Sequence, residues 1–465
     1  MSPVRMLAAV VALAATAAGA QQRTPEEKLA FDVFKELVEI NTVTATGDTA
    51  AAADAMAARL RAAGFPEGDI HVLKPAPRKG NLVARLRGTG SAKPIMLLAH
   101  IDVVEAKRED WSMDPFKLAE QGGHFYGRGT GDDKFMAAAF VAAFVRYVKE
   151  GWKPARDVIL VLETDEETLD SQSVGMRWML ANHRDLIDAE YALNEGGGVA
   201  LKGGKPYTVG VQTSEKLPVS FVLETKNVGG HSSQPVKDNA ITRLAAGLVR
   251  LGAYDFPIKW NETTRVYFTR SAPLNDAQRR ADMLAVLNDS PDAAAVQRLS
   301  ALPNLNAQMR TTCVATMLEG GHAVNALPQS AKATVNCRLV PGESVDDVHK
   351  ALVRVVADDG IEVQQRGVPK ASPASPLRPD VVGAIEKLSG EFWPGAVVLP
   401  TMSAGATTGN LLRSVGIPTY GHSGLAGDFE EPSRAHGKDE RVRVDSFYRG
   451  NEYLYRLVKV LAGGA

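Results

Sequence analysis

Two runs of unbroken aliphatic residues, 95–99 and 158–162, end abruptly in histidine and carboxylates: His100-Ile101-Asp102 after the first, Glu163-Thr164-Asp165-Glu166-Glu167 after the second. Apolar residues without alternation suit a strand buried on both faces, and such a strand needs helices above and below its sheet. The surrounding sequence offers those layers. Helical spacing predicts helices over 24–38, 49–63, 135–150 and 174–183, the first opened by the capping pattern Thr24-Pro25-Glu26-Glu27. Further strands are expected at 81–86 and 191–194. Strands alternating with helices imply an α/β domain with a mostly parallel central sheet. Ligands of such sheets collect outside the carboxyl ends of the strands, where His100, Glu166, Glu167 and Glu195 fall.

From about residue 209 the texture changes. Residues 217–225, 311–318 and 331–339 read as strands with partly solvent-facing alternation, and 238–251 and 345–357 as helices, an α+β arrangement. Between them, 254–310 is polar with helical pieces such as 276–287, and its composition assigns it no role. After about residue 371 the α/β texture returns, with a helix over 381–392, a strand over 397–399 and a terminal helix over 444–461. The expected layout is therefore a catalytic domain in two parts, 21–212 and 371–465, interrupted by an inserted domain over 213–370. At 465 residues the chain is long enough for two cores.

Residues 1–20 read as a signal peptide. Arg5 precedes an apolar run over 6–18, and Ala18-Gly19-Ala20 supplies small residues at the cleavage site. A membrane anchor would need roughly 20 apolar residues, and Gln21-Gln22-Arg23 ends the run early. The expectation is an exported protein, periplasmic or secreted, without a membrane anchor after processing. With 53 Lys and Arg against 54 Asp and Glu the net charge is −1, so no global field draws nucleic acid to the surface. The two cysteines, Cys313 and Cys337, fall in strand-like segments that could be neighbours. Export permits a disulfide, but two buried thiols is the expected state.

The chemistry-bearing residues form three clusters in one stretch. His100 and Asp102 lie two apart at a strand end, so their side chains start on one face, and a metal-bound imidazole needs an acceptor on its other nitrogen. In isolation the same pair is a common structural contact. Gly127-Arg128-Gly129-Thr130-Gly131 leads into Asp132-Asp133 just before a helix. Glycines there also cradle phosphate, but two acids would repel it and suit a cation instead. Asp165-Glu166-Glu167 packs three carboxylates together, which raise one another's pKa values unless a cation sits among them.

These clusters, followed by Asn194-Glu195-Gly196, Gly230-His231-Ser232-Ser233 and His436-Gly437-Lys438-Asp439-Glu440, resemble the aminoacylase and carboxypeptidase family of dinuclear zinc exopeptidases. That family includes carboxypeptidase S, glutamate carboxypeptidase and succinyl-diaminopimelate desuccinylase. The resemblance spans nearly the whole mature chain. It implies a zinc-exopeptidase-like catalytic domain whose insert serves as a lid or dimerisation domain. It also implies two Zn²⁺ per subunit, with Co or Mn possible in their place. Asp132 would bridge the metals, His100 and Glu195 completing one ligand set, Glu167 and His436 the other. One imidazole and two carboxylates per ion is a mixed nitrogen/oxygen set that suits zinc. Asp102 would orient His100, Glu166 would act as general base, and the Asp132-Asp133 peptide would be cis.

The resemblance further makes His231 an oxyanion donor brought in when the insert closes, often from a second subunit, and places Asn325, Arg338 and Gly405 against the substrate. Phe135 and the sequence Gly405-Ala406-Thr407-Thr408-Gly409 depart from the family pattern; the first changes packing at a helix start, the second bears on specificity. His71, His124, His183, His322, His349 and His422 are read as structural. The expected activity is zinc-dependent hydrolysis of an amide bond next to a free carboxylate, in short peptides or N-acyl amino acids, by a homodimer. The alternatives are a non-peptide amidohydrolase of desuccinylase or carbamoylase type, and a non-catalytic metal- or peptide-binding relative.

Overall fold

The computed structural model describes residues 23–168, 173–367, 372–431 and 433–464. The expected signal peptide over 1–20 lies outside the described residues. An eight-stranded sheet forms the larger layer, in the order Ile70–Ala76, Lys79–Leu86, Arg156–Glu163, Ala92–His100, Tyr191–Lys202, Thr419–Asp428, Lys205–Glu215, Val397–Ser403. Its four central strands, from Arg156–Glu163 to Thr419–Asp428, run parallel. Ile95, Leu97, Val158, Leu160 and Leu162 face one apolar layer and Met96, Leu98, Ile159 and Val161 the other, all fully buried. That two-sided burial is what the unbroken aliphatic runs encode.

The helix Pro25–Glu39 starts with the capping box expected of Thr24 and Glu27. Lys134–Glu150 closes at Gly151 in the left-handed conformation at φ 67°. Phe135, the departure at that helix start, is buried in an aromatic cluster with Phe447, ring centroids 5.7 Å apart. Among the described residues, no helix is long and apolar enough to cross a membrane.

A second sheet of four antiparallel strands runs in the order Thr312–Gly320, Ser330–Leu339, Leu217–Lys226, Ile361–Arg366. Ala331, Ala333, Val335, Cys337 and Leu339 turn inward against the helices Ala240–Gly252 and Val345–Val356. The alternate residues Ser330, Lys332, Thr334, Asn336 and Arg338 lie on the helix-free face.

The cysteines correct an expectation. Cys313 and Cys337 are not two thiols but a disulfide, at a Cα–Cα distance of 4.0 Å. They are direct partners across the antiparallel ladder between Thr312–Gly320 and Ser330–Leu339. Only the pairing register, which spacing does not reveal, brings them opposite.

Residues 254–310, without a role by composition, fold into the helices Glu262–Ser271, Ala277–Ala285, Ala293–Ser300 and Pro303–Met309 around their own apolar core of Phe268, Met283, Val286, Leu299 and Met309. This layer covers the last strand of the large sheet. Gln308 donates to the Met402 carbonyl at 2.7 Å and Arg270 to the Val398 carbonyl at 3.1 Å, and on the neighbouring strand Lys205–Glu215 the Thr213 hydroxyl meets that of Thr263 at 2.7 Å. A strand that would otherwise expose unpaired backbone is thereby closed to other chains.

Candidate metal centre

Three of the four central strands carry parts of the site, at or near the point where their parallel pairing ends. His100 is the last residue of Ala92–His100, and Glu195 lies two residues beyond Leu193, where parallel pairing with that strand stops. Glu166 and Glu167 follow Arg156–Glu163. Asp132 ends the glycine-rich turn, and the Asp132-Asp133 peptide is cis. His436 arrives from the chain's last quarter in the left-handed region at φ 62°, which L-residues adopt at a cost.

Asp132 stands at the centre. Its Oδ1 lies 2.9 Å from His100 Nε2 and its Oδ2 3.1 Å from His436 Nε2. His436 Nε2 also lies 3.0 Å from Glu167 Oε2, and His100 Nε2 lies 3.9 Å from Glu195 Oε2. Ligating atoms of His100, Asp132 and Glu167 gather within 4.8 Å of one another, as do those of His100, Glu166 and Glu195. One carboxylate thus faces two imidazoles, each backed by a second carboxylate.

The structure divides the task expected of Asp102. His100 Nδ1 contacts the Asp102 backbone carbonyl at 3.0 Å, while the nearest Asp102 carboxylate oxygen is 3.7 Å away. That carboxylate instead accepts the backbone N–H groups of Glu166 and Glu167, both at 3.1 Å. Asp102 therefore fixes the histidine through its main chain and the two glutamates through its side chain.

The electrostatics call for cations. Burial pushes the Glu166 carboxyl up to about 7, with Asp102, Glu167 and Asp132 adding to the rise and His100 opposing it. Burial raises Glu195 and Asp133 as well. Burial resists charge on His100, yet the Asp132 hydrogen bond and neighbouring carboxylates hold its pKa well above the usual value, and the Asp132 hydrogen bond carries His436 to about 9. Glu166 Oε1 and Asp133 Oδ2 are buried without a hydrogen-bond partner among the described residues. Buried carboxylates in such number stay charged only with positive charge among them, and two imidazoles with three carboxylates, Asp132 shared between the two sets, form a donor set that fits two zinc-like ions.

The sequence matches the family model for Peptidase family M20/M25/M40 over residues 96–460. The chain belongs to this family. Among relatives of this M20 chain, N-fatty-acyl-amino acid synthase/hydrolase PM20D1 of Xenopus tropicalis is 28% identical over 380 residues, covering 79% of this chain and 72% of that one. Aminoacylase-1 of Mus musculus is 25% identical over 451 residues, covering 95% and 97%. The solved M20 family metallo-carboxypeptidase Sso-CP2 from Sulfolobus solfataricus superimposes with a TM-score of 0.68 at 19% identity, over 93% of this chain and 99% of that one. Bacillus subtilis YXEP, described as a dinuclear metal binding peptidase from the M20 family, does so with a TM-score of 0.60 at 13% identity, over 95% and 99%. At these identities the two structures establish a shared fold.

Behind the candidate ligand cluster lies a layer to which the sequence motifs assign no role. Glu440, 2% exposed, accepts from Arg128 at 2.7 Å and from the backbone N–H groups of Gly129, Gly131 and Asp132 at 3.0, 2.8 and 3.2 Å. Arg128 in turn donates to the carbonyls of His436 and Gly437 at 3.3 and 3.0 Å. The only signal available was an acid closing the His436 motif.

The remaining predicted site residues lie apart from the cluster. His231 is exposed on a two-residue strand paired with Ala326, its Nδ1 accepting from Ser233 Oγ at 2.7 Å, and the Asn325 carbonyl accepts from Ser232. Arg338 sits on the helix-free face of the small sheet, bonded to Asn336 at 3.2 Å. Gly405 belongs to a loop tied to the metal-side strand by Thr407, whose hydroxyl accepts from Asn194 at 3.2 Å. His422, read as structural, is fully buried between the Gly210 carbonyl at 2.9 Å and the Tyr453 hydroxyl at 3.0 Å.

Proposed function

We propose that this M20 chain is a two-metal amidohydrolase that cuts an amide bond next to a free carboxylate, in N-acyl amino acids or short peptides. The carrying observation is Asp132 placed between His100 and His436, one oxygen to each. Asp132, His100 and Glu195 would hold one zinc ion; Asp132, Glu167 and His436 the other. When bound, such ions polarise an amide carbonyl and lower the pKa of water towards about 7.

Glu166 supplies the proton chemistry. Its buried, unpartnered Oε1 is free to accept a proton from the attacking water and to return it to the departing nitrogen. Asp102 fixes the backbone that carries this carboxylate by accepting from the Glu166 N–H. Arg338 suits the substrate's carboxylate with its planar fork of donors. His231 and Asn325, on the inserted unit, would reach the developing oxyanion as that unit closes over residues 405–407, which makes the insert a lid.

The names of the relatives support an acyl- or peptidyl-amino acid as substrate, since N-fatty-acyl-amino acid hydrolase and aminoacylase both describe that chemistry. Export through a signal peptide over 1–20 accords with the Cys313–Cys337 disulfide, a bond kept in oxidising compartments. A homodimer is favoured by the edge strand Thr312–Gly320, which pairs on one side only and leaves Val314, Met317 and Leu318 62%, 59% and 69% exposed. A panel of N-acetyl amino acids, dipeptides, succinylated and carbamoylated amino acids, assayed with and without chelator, tests the reading. Chelator-sensitive turnover of the first two classes is expected, and inertness of the zinc-loaded protein to the whole panel would overturn it.

A further inference from the structure

Lys216 is a buried lysine that the chemistry above does not use. It stands where the chain passes from the large sheet, ending at Glu215, to the small sheet, starting at Leu217, and it is 1% exposed. Its Nζ donates to Thr312 Oγ1 at 3.2 Å. Among the described residues no carboxylate lies within 4.0 Å of it, and none within 4.0 Å of Arg338. The nearby Glu343 is engaged elsewhere, by the Thr311 hydroxyl and by Lys259 at 4.0 Å.

The two cations share one face. Thr312 and Arg338 are direct partners across the antiparallel ladder, so their side chains project on the same side of the small sheet. That side is the helix-free one, where Asn336 links Ser220, at 3.3 Å, to Arg338. Lys216 reaches Thr312 from the sheet junction, which puts an ammonium and a guanidinium near one another beside hydroxyl and amide groups, with Glu343 the nearby acid and no carboxylate paired to either cation among the described residues. The main chain of Lys216 also touches the loop that leads to the metals: its N–H donates to the Ser403 carbonyl at 2.9 Å, and Ser403 Oγ accepts from the Gly405 N–H.

From this arrangement we infer that Lys216 and Thr312 complete, with Arg338, a subsite for the anionic end of the substrate at the junction of the two sheets. The inference rests on the amidohydrolase reading and adds to it the residue that sets carboxylate preference. A buried ammonium beside a guanidinium is costly alone and is stabilised by an incoming carboxylate. Burial lowers the Lys216 pKa to about 7, Glu343 opposing and Arg338 adding to the fall, as expected of a cation lacking its counter-ion. Lysine in place of a second arginine supplies a point charge rather than a planar fork, leaving the bidentate contact to Arg338.

The test compares Lys216→Met with the wild type on whichever N-acetyl amino acid is turned over, and on its carboxamide. The expected result is a KM for the acid raised at least tenfold with kcat within about threefold, no further loss on the carboxamide, and a melting temperature held or raised. An unchanged KM, or equal loss on acid and carboxamide, overturns the inference. If Lys216→Met does not fold, Thr312→Val decides in its place, with a rise in KM on the acid alone expected. Should the wild type hydrolyse nothing in the panel, the amidohydrolase reading falls separately. Protection against melting by N-acetyl amino acids, present in the wild type and lost in the Lys216 variant, then still supports the subsite, and equal protection in both overturns it.

Discussion

Arg128 and Glu440 form a buried ion pair at 2.7 Å, both side chains at most 3% exposed, that joins the turn carrying Asp132 to the loop carrying His436. Further contacts of the pair reinforce that junction: Glu440 gathers the turn's backbone N–H groups, and Arg128 gathers the carbonyls of His436 and Gly437. Breaking such a pair from one side strands a buried charge, at about 3–5 kcal/mol. Glu440→Gln keeps the shape and part of the hydrogen bonding. It is expected to weaken metal retention 10–100-fold by displacing Asp132 and His436 together. Zinc release to a chelator, followed by absorbance, checks this, and wild-type release rates would contradict it.

His422 sets a pH dependence away from the metals. Burial lowers its pKa to about 4 from the usual histidine value of about 6.5, the hydrogen bond to the Gly210 carbonyl opposing the fall. The folded state therefore holds the ring neutral where the unfolded chain protonates it. The associated stability is complete above pH 6.5 and is lost as pH falls towards 4, by up to about 3 kcal/mol. Urea midpoints at pH 7 and pH 4.5 should draw together in His422→Gln relative to the wild type. An identical pH trend in both proteins would exclude this source.

The Cys313–Cys337 bond closes a loop of sequence separation 24. A crosslink of that span is worth about 3 kcal/mol in chain entropy. Cys313→Ser with Cys337→Ser should therefore unfold at lower denaturant, with the loss read from the small sheet's share of the transition. No shift in midpoint would mean the thiols are reduced in the native protein.

The edge strand makes an oligomer prediction. Val314→Lys with Leu318→Lys charges the exposed apolar edge and should convert a dimer to a monomer in sedimentation at micromolar concentration. A monomeric wild type would remove the homodimer from the account.

How far these features are legible in the sequence follows from the range of the interactions that make them. The runs at 95–99 and 158–162 announce buried parallel strands because their burial is local to each residue. Among the candidate ligands, His100, Asp132 and Glu167 stand out because each follows a strand or a glycine turn within its own motif, whereas Glu195 and His436 join them through the family resemblance. The Arg128–Glu440 pair spans 312 positions and the Lys216–Thr312 contact 96, and neither has a local pattern. The same holds for Cys313 opposite Cys337 and for the helices at 262–309, whose role comes from the sheet edge they cover. Asp102 was placed beside His100 by spacing alone, yet only the folded geometry shows that its main chain, not its carboxylate, faces the ring.

The central claim is that the cluster around Asp132 holds metal and that Glu166 moves the proton. The most direct measurement is elemental analysis and amide turnover on the same preparation of Glu166→Gln. The account predicts two metal ions per chain, as in the wild type, with hydrolysis reduced by at least about 1000-fold. Turnover at the wild-type rate with the metals in place would contradict it.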